Sequence, residues 1–171
     1  CRGYEAASVQ EITEATGLSR SSLYDTFGEK NALYMAALDH YISQREKVAF
    51  EALHAPGSKK AAIRAAFDWI IEEIIGNPEA GCFAVNAATE LGSCDEGVQE
   101  AISRSVARTV AALADAVRAG QQQGEISPAK DSRAIAEFLV NAIHGLRVTG
   151  KTTQDRRMLE NIVDIALSVL D

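Results

Sequence analysis

A chain of 171 residues, 47% of them hydrophobic, can bury a substantial core and is sized for one or two domains. It contains no apolar run approaching the roughly 18 residues of a membrane span and no signal-peptide pattern, so a cytoplasmic protein is expected. Three widely separated cysteines without a C-x-x-C pair argue against a disulfide framework and a zinc site, and a formal net charge of −7 opposes non-specific attraction to phosphates.

Only three prolines and long stretches of helical periodicity predict an all-α fold. Residues 8–33 carry most of the functional information. Ser8 followed by Glu11 makes a capping box that starts a helix at about Val9, and Gly17, suited to a left-handed cap, ends it after two turns. Ser19 caps a second helix that starts at about Arg20 and runs to Phe27, where Gly28 stops it. Two short helices joined through Gly17, Leu18 and Ser19 form a helix-turn-helix. Val9, Ile12 and Ala15 are expected to face Leu18, Leu23 and Phe27, leaving Arg20, Ser21, Ser22, Asp25 and Thr26 outward. Hydroxyls and an arginine at a helix N-terminus suit a recognition helix in a major groove, where such residues reach base edges. A helical hairpin with an ordinary solvated face is the alternative.

The run Gly3-Tyr4, Ser8-Val9, Ile12, Ala15, Gly17-Leu18-Ser19, Leu23-Tyr24, Phe27, Lys30 and Leu33 resembles the DNA-binding signature of the TetR family of transcriptional regulators. That resemblance implies that Tyr24 and Lys30 hold phosphates, that Ser8 meets the backbone from the first N-terminus, and that Arg20, Ser21 and Ser22 face bases. Thr26, included among the DNA-binding candidates, stands where the family often has His or Tyr, and Asp25 adds a negative charge beside that face. Within the first thirty residues only Arg2, Arg20 and Lys30 oppose Glu5, Glu11, Glu14, Asp25 and Glu29. The resemblance implies a three-helix head whose first helix is largely missing from this chain, Cys1 to Tyr4 resembling only its end, and with it part of the basic footprint.

A long helix over 30–55 follows, with Leu33, Ala37, Tyr41, Val48 and Leu53 at helical spacing and Pro56-Gly57 ending it. It is long enough to join a head at 1–45 to a helical regulatory domain at 46–171. Asp39 and His40 belong to its polar face. Ser58 caps a helix carrying Ile63, Ala66, Phe67, Ile70, Ile71 and Ile74 and ending at Gly76. Trp69 lies off its densest stripe, to pack against a neighbouring helix or to line a cavity.

The apolar stretch 81–91 is interrupted by Asn86 and Glu90, four residues apart and sharing a face with Cys82 and Phe83. Buried polar groups need partners, which neighbouring protein groups or a small ligand can supply. The segment also resembles the pocket-side helix of some TetR-type regulators. Ser93 and Glu96 suggest a second capping box, opening a helix through Val98, Ile102, Val106, Val110, Leu113 and Val117 to Gly124. Asp131 caps a helix with Ile135, Phe138, Leu139, Ala142, Ile143 and Leu146. Thr152 or Thr153 is expected to start the last one, with Met158, Leu159, Ile162, Val163, Ile165, Ala166, Val169 and Leu170. Apolar residues on more than one face of these two helices invite a partner, and the resemblance implies a four-helix homodimer interface. His144 and Arg147 belong near that interface or near the pocket. The candidate ligand-binding set is Trp69, Cys82, Phe83, Asn86, Glu90 and His144.

These readings converge on a dimeric repressor released from a palindromic double-stranded DNA operator by an unidentified small-molecule inducer, with no cofactor, no metal and no membrane partner. Cys82, at the start of a helix whose dipole can lower a thiol's pKa, offers a thiol-based oxidant or electrophile sensor instead. A helical interaction module that does not bind DNA is a further alternative. No Gly-rich phosphate loop, nucleophile elbow or spaced ligand cluster points to an enzyme.

Overall fold

The computed structural model describes residues 3–4, 7–77 and 81–171, in which every regular element is helical. In chain order these are α1 (Val9–Thr16), α2 (Arg20–Phe27), α3 (Lys30–His54), α4 (Lys59–Gly76), α5 (Phe83–Leu91), α6 (Glu96–Gln122), α7 (Ser132–Thr149) and α8 (Arg156–Leu167), with a 3-10 turn over Ser168–Leu170. Cys1, Arg2 and Glu5 of the sequence reading lie outside the described residues. No helix among those described is long and apolar enough to cross a membrane.

The caps of the first two helices follow the sequence closely. The Ser8 hydroxyl accepts the Glu11 amide at 3.2 Å while the Glu11 carboxylate takes the Ser8 amide at 3.0 Å. Gly17 and Gly28 close α1 and α2 with φ of 71° and 76°, values at which a Cβ would be strained. Packing in this unit is thinner than expected. Leu23 is buried, but Leu18 is 49% exposed and Ala15 is also on the surface.

Two apolar cores hold the rest. The larger gathers Leu53 of α3, Ile63, Phe67, Ile70, Ile71 and Ile74 of α4, and the inner faces of α6, α7 and α8. The smaller joins Leu38 and Ile42 of α3 to Ala87 of α5 and Val98 and Ala101 of α6. Helix α6 runs through both and packs against α3, α4, α5 and α7. Along α3 the buried residues are Leu38, Ile42 and Leu53, so the expected stripe through Leu33, Ala37 and Val48 is corrected. Ala37 faces solvent, Leu33 is half-buried and Val48 is half-exposed. Residues 43–52 contribute no buried side chain, because between the two cores α3 borders a cavity.

Two expected helix starts move. Asp95, not Ser93, caps α6. Its Oδ1 accepts the Val98 amide at 3.0 Å, and its Oδ2 is fixed at 2.9 Å by the Asn31 side-chain amide from the start of α3. The α8 cap is Asp155, whose Oδ1 accepts the Met158 amide at 3.2 Å. Thr152 and Thr153 instead give their amides to the Thr149 carbonyl, closing the turn after α7. Phe138, Met158 and Ile165 remain exposed on α7 and α8, Ile165 by 75%, leaving the second apolar face uncovered.

Candidate nucleic-acid interface and interior cavity

Arg20, Ser21, Ser22, Tyr24, Asp25 and Thr26 all lie on the exposed side of α2. The Arg20 guanidinium stands 5.8 Å from the Tyr24 ring centroid, one helical turn away. The Ser19 oxygen receives the Ser22 amide at 3.1 Å and lies 2.9 Å from the Ser21 hydroxyl. Thr26 donates its hydroxyl to the Ser22 carbonyl at 2.8 Å, which leaves its methyl group free to face outward. Lys30 is differently placed. Its Nζ donates to the Tyr4 carbonyl at 2.6 Å and lies 4.4 Å from the Tyr4 ring centroid, so its charge is held at the base of the head. Ser8 is exposed at the N-terminus of α1.

From this base a ladder of rings leads inward. Tyr4, Tyr34, Phe83 and Tyr41 meet edge-on in succession, with centroids 5.0, 5.1 and 5.7 Å apart. Tyr41 reaches the cavity bordered by α3, where its hydroxyl donates to Cys82 Sγ at 3.6 Å. Burial, and after it Cys82, pushes the Tyr41 pKa up to about 12, so the phenol keeps its proton.

The cavity, about 330 Å³, is walled by α3, α4, α6 and α7 and the start of α5. Its surface is mainly apolar, supplied by Phe50, Trp69, Ile70, Leu113, Val140 and Ile143 among others. Against this lining stands a charged cluster. One carboxylate oxygen of Glu73 accepts from Arg45 Nη1 and, at 2.9 Å, from Arg147 Nη2. Arg45 is also packed between Tyr41 and Trp69, its guanidinium 4.8 and 5.1 Å from their ring centroids. The Arg147 side chain is only 10% exposed. A narrower recess of about 180 Å³ continues past these three residues to Gly81, Cys82 and Lys151.

Of the candidate ligand set, Trp69, Cys82 and His144 line the cavity. Cys82 is 7% exposed and forms the N-cap of α5. His144 sits exposed at the margin, where desolvation and then the Arg147 charge lower its pKa. The other three lie outside the lining. Phe83 is a rung of the ring ladder, and Asn86 accepts from Lys151 Nζ. Glu90 lies close to Gly3 and Tyr34, at the junction with the head. Arg45 and Glu73 escaped the sequence reading. No local signal marks them: Glu72 and Glu73 both fall on the side of α4 away from the stripe of Ile70, Ile71 and Ile74.

A helix-turn-helix on a long helix, leading into a helical body with an apolar cavity that opens to solvent beside Val48 and Ala52, defines the class of helix-turn-helix transcription regulators. Residues 56–166 match the family described as "Tetracyclin repressor-like, C-terminal domain", and residues 1–37 match "Bacterial regulatory proteins, tetR family". The chain is 33% identical to the uncharacterized HTH-type transcriptional regulator YezE of Bacillus subtilis (strain 168), the match covering 99% of this chain and 88% of that protein. It is 30% identical to the HTH-type transcriptional repressor ComR of Escherichia coli (strain K12), over 98% of this chain and 80% of the relative. A cysteine mutant of the TetR family regulator CifR, complexed with 26bp double-strand operator DNA, superposes with a TM-score of 0.86 at 27% identity, covering 99% of this chain and 90% of that one. Reduced E. coli NemR shares the fold with a TM-score of 0.87 at 19% identity, over 99% and 89% of the two chains. The chain belongs to the TetR family of transcriptional regulators.

Proposed function

We propose that the chain is a dimeric, ligand-responsive repressor whose head, 1–45, binds a palindromic operator and whose body, 46–171, binds an inducer. The observation that carries this reading is the cavity against α3: a ligand there touches the helix that leads to the DNA-binding head. In this reading Arg20, Ser21, Ser22 and Thr26 meet base edges, and Tyr24 and the Ser8 end of α1 meet phosphates, joined by Lys30 once its Nζ leaves the Tyr4 carbonyl. The exposed Phe138, Met158 and Ile165 support a two-fold partner through α7 and α8, which would space two heads by about 34 Å along the duplex. The inducer works only if it prefers a dimer whose heads no longer match that spacing.

An electrophoretic mobility shift with DNA upstream of the chain's own gene tests it. The expected result is a saturable complex, dissolved by a compound that also binds the body in calorimetry. Arg20→Ala is expected to weaken operator binding by about tenfold or more while changing random-DNA binding less. Equal affinity for operator and random duplex counts against a repressor.

A second trigger has support in the Cys82 sulfur, which lies in the cavity wall beside Tyr41. A thiol there could register an oxidant or electrophile through the same ring ladder. Cys82→Ser then abolishes release by peroxide. An unchanged response removes this trigger.

A further inference from the structure

We infer that the cavity is built for a small organic monocarboxylate with an apolar, ring-bearing body, its carboxylate seated on Arg45 and Arg147. This rests on the reading of the cavity as the inducer site. The inference comes from the charges that face the space. Arg45, Arg147 and Glu46 line it, Glu73 and Lys151 stand in the adjoining recess, and His144 at the cavity margin is driven toward the neutral form by desolvation and Arg147. Lys151 is exposed and donates to the Asn86 side-chain oxygen, so its charge is left to solvent. Glu46 is already matched. Both its oxygens are taken by Arg108, at 2.9 and 3.0 Å, and one also accepts from Ser105 at 2.8 Å. Two guanidiniums therefore share the single carboxylate of Glu73, and both meet it through the same oxygen.

Among Arg45, Arg147 and Glu73 one positive charge is left over beside a largely apolar chamber, where an unmatched charge is costly. A monoanion brings the cluster to two against two. The five N–H donors of each guanidinium leave ample groups for a second carboxylate. Arg45 is held in place by the rings of Tyr41 and Trp69, and Arg147 by its burial, so little order is lost when an anion arrives. The body of such a ligand meets Trp69, Phe50, Ile70 and Ile143. The volume falls in the lower part of the range for small-molecule sites, about 300 to 1,000 Å³.

Isothermal titration calorimetry on the full chain, with phenylacetate and the near-isosteric phenylacetamide as probes, tests the assignment. The acid is expected to bind about tenfold more tightly than the amide, the worth of charge-assisted hydrogen bonds. R147Q removes most of that preference. E73Q has the opposite effect: with the internal competitor gone, acid affinity rises about threefold while amide affinity changes less. Opposite signs at two residues of one cluster are not expected from a general loss of structure, and helicity by circular dichroism checks each variant. If R147Q does not fold, the acid-to-amide ratio of the parent chain and the direction of E73Q decide. Equal or tighter binding of the amide, weaker acid binding in E73Q, or binding of neither probe overturns the assignment. The inducer reading is judged separately, by mobility shift with the bound probe. Acid preference with no change in operator affinity keeps the anion site and overturns the inducer role, while an amide-preferring site that still releases the operator does the reverse.

Discussion

Leu38 and His144 show how differently single side chains bear on this molecule. Leu38 is fully buried in the smaller core, between α3, α5 and α6. Leu38→Ala is expected to lower the stability of the chain by about 2–5 kcal/mol, read by urea unfolding, because it leaves a cavity that neighbouring helices cannot close. His144 acts through protonation. Its pKa in the folded chain lies below the usual 6.5, so as pH falls through that value the unfolded chain takes up the proton first and stability declines. Thermal midpoints measured from about pH 7.5 to about pH 5.5 should fall further for the parent chain than for His144→Gln. From residue types alone His144 and Arg147 fit a pocket and an interface equally well. Helical periodicity specifies a face of α7, but not what that face meets.

Among the elements, α5 has the clearest consequence. It is short, and Phe83 at its first turn is the rung between Tyr34 of the head side of α3 and Tyr41 of the cavity side. Phe83→Ala is expected to cost about 1–3 kcal/mol, part of it from two lost ring contacts. It should also weaken the effect of a bound inducer on operator affinity, measured as the ratio of operator dissociation constants with and without ligand. A coupling ratio unchanged by this substitution would remove the ladder from the signal path. The boundaries of α1 and α2 were legible because cap residues specify them locally, through Ser8, Gly17, Ser19 and Gly28. The start of α6 was not. Ser93 and Asp95 are both competent caps, and the one used is also held by Asn31, which lies 64 residues away in sequence. Val48 misled the reading of α3 for a related reason: an apolar residue bordering a cavity has the same periodic signature as one in a core. The Glu73 cluster joins residues 28 and 74 positions apart, and no local pattern encodes that meeting.

For the whole molecule, the exposed apolar strip on α7 and α8 is the surface that the proposed dimer would bury. Ile165→Asp puts a charge in the middle of the proposed contact, next to Met158 and Phe138 in the groove they share. The variant is expected to sediment as a monomer and to lose operator binding while keeping its helicity, since Ile165 is exposed in the single chain. A variant that remains dimeric would move the interface elsewhere.

In the proposed inducer response, α3 would act as a lever with unequal arms, carrying with it the smaller core packed at Leu38 and Ile42. Arg45 lies 8 residues and Lys30 lies 23 residues from Leu53, where α3 is anchored in the larger core. At about 1.5 Å per residue the two arms are about 12 and 34 Å. Pivoting there, a push of about 2 Å at Arg45 swings Lys30 by about 6 Å, around half the width of a major groove. In the proposed repressor, such gearing would let a guest no larger than a few rings dislodge a reading head far from where it sits.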